Sequence, residues 1–200
     1  MDTAYNQDFQ KQIDLLEKIL LQNSVVKEVL KLAPSLGMPN WYLGAGCVAQ
    51  TVWNYFHRFK PTNGIKDCDL VYYDSSDISS EAQNLYIEKG KKIFGHLPIP
   101  VEIVNEARVH LWYEKEFGKK IEPYQSAEEA INEWPTTATG IGVRYAENGK
   151  FVVFAPYGLN DLWGMIIRPN KLKITEKIYL SKIERWISIW PKLKVIPWNS

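Results

Sequence analysis

Apolar residues between Phe9 and Leu32 recur three and four positions apart: Ile13, Leu16, Ile19 and Leu20, then Val25, Val26, Val29 and Leu30. That spacing gathers each group on one helical face and predicts two short helices, with Ser24 as the N-cap of the second. Pro34, Gly37 and Pro39 end the pair. A strand begins at Trp41 and turns at Gly44-Ala45-Gly46. A helix from about Cys47 to Phe59 follows, with Val48, Val52, Phe56 and Phe59 on one stripe. Beyond the loop Pro61-Thr62-Asn63-Gly64 the period changes to two. Cys68, Leu70 and Tyr72 take one face of a strand, and Asp67, Asp69 and Val71 the other.

A serine-capped helix is expected over Ser79–Phe94. Val101–Val104 reads as a strand that turns toward helix after Asn105, with Glu102 between Val101 and Ile103. Ser126 and Glu129 form a capping-box pattern ahead of a helix that stops at Pro135. Glu147-Asn148-Gly149 is the turn of a hairpin, and Thr175–Trp190 is an amphipathic helix before Pro191. No internal repeat or long linker divides the 200 residues, so one domain is expected.

Composition narrows the partners only slightly. With 24 basic and 23 acidic residues the net charge is +1, which gives no strong sign of nucleic-acid binding. The polar start of the chain lacks the order of a secretory signal, and no apolar run approaches the ~20 residues of a membrane span. A soluble, cytoplasmic protein is expected. Cys47 and Cys68 lack zinc spacing and read as reduced packing residues.

The paired aspartates are the chemical anomaly, because carboxylates are costly to bury inside an apolar strand. Residues on one strand face lie ~6.6 Å apart, a separation that lets two carboxylates flank a pair of divalent cations. Mg²⁺, or Mn²⁺, prefers such hard oxygen ligands and serves phosphoryl or nucleotidyl transfer. Glu102 has the type and setting of a third carboxylate. The main-chain N–H groups of Gly44, Ala45 and Gly46, with the helix that follows, suit a triphosphate.

In this order, Leu43-Gly44-Ala45-Gly46, Asp67-Cys68-Asp69 and Glu102 resemble the nucleotidyltransferases of the DNA polymerase beta superfamily. The segments from Trp41 onward, including Asp67–Asp74, Val101–Tyr113 and Ala155–Asn170, look like a bacterial family of compact nucleotidyltransferase-like proteins. The resemblance implies an α/β (α+β) nucleotidyltransferase fold, a short mixed β-sheet flanked by helices. Residues 1–38 would form a helical extension, 39–170 the catalytic core, and 171–200 a C-terminal helix and tail. It implies transfer of a nucleoside monophosphate from an NTP to an acceptor that the sequence does not identify. Asp67, Asp69 and Glu102 would be catalytic and hold the metal. Gly44, Ala45, Gly46, Lys66 and Arg108 would bind the nucleotide. The head region also resembles CCA-adding and poly(A) polymerases, but Ala49-Gln50 stands where that branch carries Arg-Asp, which argues against tRNA tailing.

Several residues keep two readings. Lys66, Arg108 and Arg144 are phosphate contacts or solvated charges, and His110 is a substrate contact or a half-buried structural histidine. His57 and His96 are expected at the surface. An inactive nucleotide- or ligand-binding regulator of the same fold is the alternative to an enzyme. A third reading has Trp186 and Trp190 docking a partner protein.

Overall fold

The computed structural model describes residues 4–200. Helices α1 (Phe9–Leu20) and α2 (Ser24–Leu32) form where the apolar spacing places them. The cap of α2 is a correction: Asn23 accepts from the Val25 and Val26 amides through its side chain, and Ser24 is already the first helical residue. Strand β1 (Tyr42–Gly44) runs directly into α3 (Ala45–His57). Arg58, left-handed at φ +59°, ends α3, so Phe59 falls outside the helix and off its packed stripe.

Strand β2 (Cys68–Tyr72), helix α4 (Ser80–Phe94) and strand β3 (Val101–Asn105) follow, with Ser79 capping α4. A 3₁₀ segment, Glu106–Leu111, leads to the short helices α5 (Tyr113–Phe117) and α6 (Ala127–Asn132). Ser126 caps α6 by accepting from the Glu129 amide, while Glu129 accepts from the Gln125 amide rather than closing the box on Ser126. Strands β4 (Gly142–Tyr145) and β5 (Phe151–Phe154) form the expected hairpin. Next come α7 (Asn160–Trp163), β6 (Ile166–Ile167), α8 (Glu176–Ile189) and β7 (Lys194–Val195). The parallel β6–β7 pair has no sequence signature, because two residues per strand are too few to show a period.

The main sheet has the order β3-β2-β1-β4-β5, parallel between β2 and β3 and antiparallel elsewhere. Its mixed character follows from the connections. A helical crossover through α4 joins the parallel pair, whereas a tight turn joins β4 to β5. Helix α3 packs one sheet face, and the core runs on through both N-terminal helices to α8. There Trp53 is fully buried edge-on against Trp186 and Trp190, each with ring centroids 5.3 Å away. The Trp190 indole N–H donates to Asn54 Oδ1 at 2.7 Å. Both C-terminal tryptophans are therefore core residues, which removes the reason for a partner-docking role.

His57 is also buried, against expectation. Its Nδ1 lies 2.7 Å from the Trp53 carbonyl oxygen, and its Nε2 accepts from the Lys192 amide at 3.0 Å, which ties α3 to the segment after α8. Burial lowers its affinity for a proton. No helix among the described residues is long and apolar enough to cross a membrane.

Gly44 has a packing role. A Cβ there would stand 2.6 Å from the Trp134 ring and 2.7 Å from the Ile141 carbonyl oxygen. Gly44→Ala is expected to cost about 1–3 kcal/mol of stability, read from the urea midpoint, because backbone on one side leaves no room to relax.

Candidate functional site

The turn from β1 into α3 organises the site. Gly44 is extended, and Ala45 then takes φ +52°, a left-handed conformation that costs a residue with a Cβ roughly 1–2 kcal/mol. The Ala45 N–H is held by the Ile141 carbonyl oxygen at 3.2 Å. No side chain caps α3, and the N–H groups of Gly46 and Cys47 have no acceptor among the described residues. This 13-residue helix thus opens with free main-chain donors and the positive end of its dipole.

Strand pairing brings the carboxylates to that turn. In the β1–β2 register Gly44 faces Asp69, and in the β2–β3 register Asp69 faces Glu102. Paired residues share a sheet face, so Asp69 sits between the glycine turn and Glu102. Asp67 lies one residue before β2, on the same side by alternation. Burial, then the charges of Asp67 and Glu102, push the Asp69 carboxyl up to about 7. Among the described residues, no three His, Cys, Asp or Glu side chains gather closely enough to hold an ion as they stand. The expected three-carboxylate bowl is therefore a row, centred on Asp69 and not closed around one point.

Two cavities meet at Ala45, Asp69 and Lys182. The first, of ≈ 340 Å³, extends over β2 and β3 past Glu102, Glu106 and Glu133, between aromatic walls. The second, of ≈ 280 Å³, lies at the start of α3 and contains Gly46, Gln50, Asp67 and Arg185. Gln50 is buried, and its Oε1 has no hydrogen-bond partner.

Lys66 and Arg108 line neither cavity. Arg108 Nε instead donates to the Ile78 carbonyl oxygen at 2.8 Å, fastening the loop before α4. Arg144 lies over the Tyr42 ring at 5.2 Å, and His110 is half-buried with Nδ1 unpartnered. Cys47 and Cys68 are free, buried thiols, and Cys47 Sγ–H donates to the Gly44 carbonyl oxygen at 3.3 Å.

Sequence reasoning missed Lys182 and Glu106. Both carried a signal. Lys182 falls within the stripe Tyr179, Ile183, Trp186 of α8, so helical spacing turns a cation inward. Burial lowers its pKa while Asp69 and Asp67 oppose that shift. Glu106 continues the alternation Glu102, Val104 along β3 and so shares the face of Glu102. It is only 5% exposed, and burial, reinforced by Asp69, pushes its carboxyl up to about 8.

With this geometry in place, residues 31–195 match the model of a protein family described as nucleotidyltransferase. A solved structure described as revealing a CCA-adding enzyme head domain superposes with a TM-score of 0.75 at 20% identity, covering 98% of this chain and 100% of its own. That likeness concerns the fold. No curated protein matches the chain significantly.

Proposed function

We propose that this chain, which belongs to the nucleotidyltransferase family, moves a nucleoside monophosphate from an NTP to a separate acceptor in a divalent-metal-dependent reaction. The observation that carries the reading is the placement of Asp69 between Glu102 and the uncapped start of α3, where the two cavities join. The second cavity suits the triphosphate. Its Lys182 and Arg185 supply positive charge, and the Gly46 and Cys47 amides supply donors without rearrangement.

The donor set fits Mg²⁺ or Mn²⁺ chemically. Asp67, Asp69 and Glu102 offer hard oxygens, and Asp69 resists ionising because it is buried and faces the charges of Asp67 and Glu102, which Lys182 only partly offsets. Bound there, the metal would neutralise charge on the transferring phosphoryl group. In the transfer itself the acceptor oxygen bonds to the α-phosphorus, and the bond from that phosphorus to the pyrophosphate oxygen breaks. The acceptor proton passes to a carboxylate, with Glu102 assigned that part. Lys182, which lines both cavities with Asp69, steadies charge on the leaving pyrophosphate.

Calorimetric titration of each NTP with and without magnesium or manganese, followed by assay of pyrophosphate release, tests the reading. Metal-dependent affinity for at least one NTP is expected. Equal affinity in excess chelator would remove the metal role. Gly46→Val adds a sharper test, because a side chain there would stand at the free donors, and a Cβ already comes within 2.8 Å of Gln50 Nε2. The variant is expected to melt cooperatively yet lose nucleotide affinity by about tenfold or more. Loss of stability and binding in proportion would make Gly46 a turn residue only.

A ligand-binding regulator without turnover is the second reading. Gln50 favours it, since this buried amide can bind but carries no charge to stabilise a transition state. Metal-dependent NTP binding without pyrophosphate release in the presence of the acceptors tried would select it.

A further inference from the structure

The two cavities that meet at Asp69 differ in charge. The second presents Lys182 and Arg185 beside Asp67 and Asp69. The first presents Asp69, Glu102, Glu106 and Glu133, with Lys182 its one cationic lining residue at the shared edge. The first is the more acidic of the two, so a phosphate-bearing body favours the second. If the second takes the triphosphate, as proposed above, the first is left for the acceptor.

Glu106 points to what that acceptor carries. It lines the first cavity, 5% exposed, and no hydrogen bond reaches its carboxyl from the described residues. A buried carboxyl left unpaired is costly, and a ligand N–H would remove the cost. Glu133, by contrast, already has a cationic partner, its Oε2 lying 3.4 Å from Lys173 Nζ. Trp112, Tyr113, Phe117, Tyr124 and Trp134 provide the walls. Aromatic faces attract cations, and together with apolar Val71 and Val104 they favour a flat or hydrocarbon body.

From this combination of one buried, unpaired carboxyl and aromatic walls, we infer that the acceptor is a small molecule bearing a protonated amine on an apolar or planar body, with the ammonium directed at Glu106. A polynucleotide end is excluded from the role, because its phosphates would enter the acidic cavity. The ammonium supplies the donor that Glu106 lacks, and the exposed faces of Trp112 and Phe117 along the lining are open to contact with the body.

Three matched probes test this: 2-phenylethylammonium, neutral 2-phenylethanol and adenosine, each titrated into the full chain while the indole N–H signals of Trp112 and Trp134 are followed by NMR. The ammonium is expected to shift both signals and to bind about tenfold more tightly than the alcohol, the scale of one hydrogen bond to a charged group. Glu106→Gln, which keeps the shape, is expected to bring the two within about twofold. Equal binding of ammonium and alcohol to the wild type overturns the inference. So does an undiminished preference in Glu106→Gln, or tighter binding of adenosine at the same indoles, which would make this the base pocket. The titrations need neither metal nor NTP. Failure of metal-dependent NTP binding with the amine preference intact would thus remove the transferase reading while leaving the recognition of amines in place.

Discussion

Replacing Asp69 by asparagine is expected to abolish transfer while making the metal-free protein more stable. The carboxylate stands at the junction of both cavities, flanked by Glu102 in register and by Asp67. Withdrawing one hard ligand from a metal-assisted phosphoryl centre forfeits several kcal/mol of charge stabilisation, about 10²–10³-fold in turnover. In the absence of metal the same carboxylate is a burden. Burial and two like charges raise its pKa to about 7 from the ordinary 3.8 of an aspartate, so above neutrality the folded state holds a charge it disfavours. The amide carries no such charge. At pH 8, without metal, Asp69→Asn should raise stability by about 1–4 kcal/mol in urea unfolding, a gain that shrinks toward pH 4 as the wild-type group protonates in both states. A variant that retains activity, or is destabilised at pH 8, would contradict the assignment.

Glu106→Gln is expected to change how stability depends on pH. Burial, then the charge of Asp69, pushes the Glu106 carboxyl up to about 8 from the ordinary 4.5 of a glutamate. Between these values the native protein holds a proton that the unfolded chain has released. Its contribution is therefore most favourable below pH 4.5, declines as pH rises, and levels off above pH 8. The full span is on the order of 5 kcal/mol, since the group is almost wholly enclosed. Glutamine should remove this decline, leaving the variant close to wild type at pH 4.5 and clearly more stable at pH 9. Asp69 contributes to the shift in Glu106, so the two substitutions should be less than additive. Parallel slopes for variant and wild type between pH 5 and 8 would show that Glu106 is hydrated and not enclosed.

Local signals in the sequence make most of the architecture legible. Two-residue alternation around Asp67 and Asp69, three-to-four spacing in α1, α2 and α8, and the glycines after β1 each arise within a few residues, where sequence and geometry are directly linked. Those signals determined the elements, their order and the unusual carboxylates on one strand face. They also carried the family resemblance, because its motif is a sequence of local features. Caps and helix ends were less secure, as Asn23 and Arg58 show, since they depend on side-chain bonds and on a single residue's φ.

Tertiary structure alone decided what meets what. It set Glu102 beside Asp69 through the parallel β2–β3 register, and brought Lys182 from α8, more than a hundred residues along the chain, to the same point. It drew Arg108 away to the Ile78 carbonyl and pressed Trp134 against Gly44. It buried Trp186 and Trp190 against Trp53. Periodicity states which face of an element is apolar, but register, crossover and packing choose the partner for that face. The charge of each cavity is likewise a sum over residues that only the fold makes neighbours, and so an acidic, aromatic chamber stayed hidden in a chain whose net charge is +1.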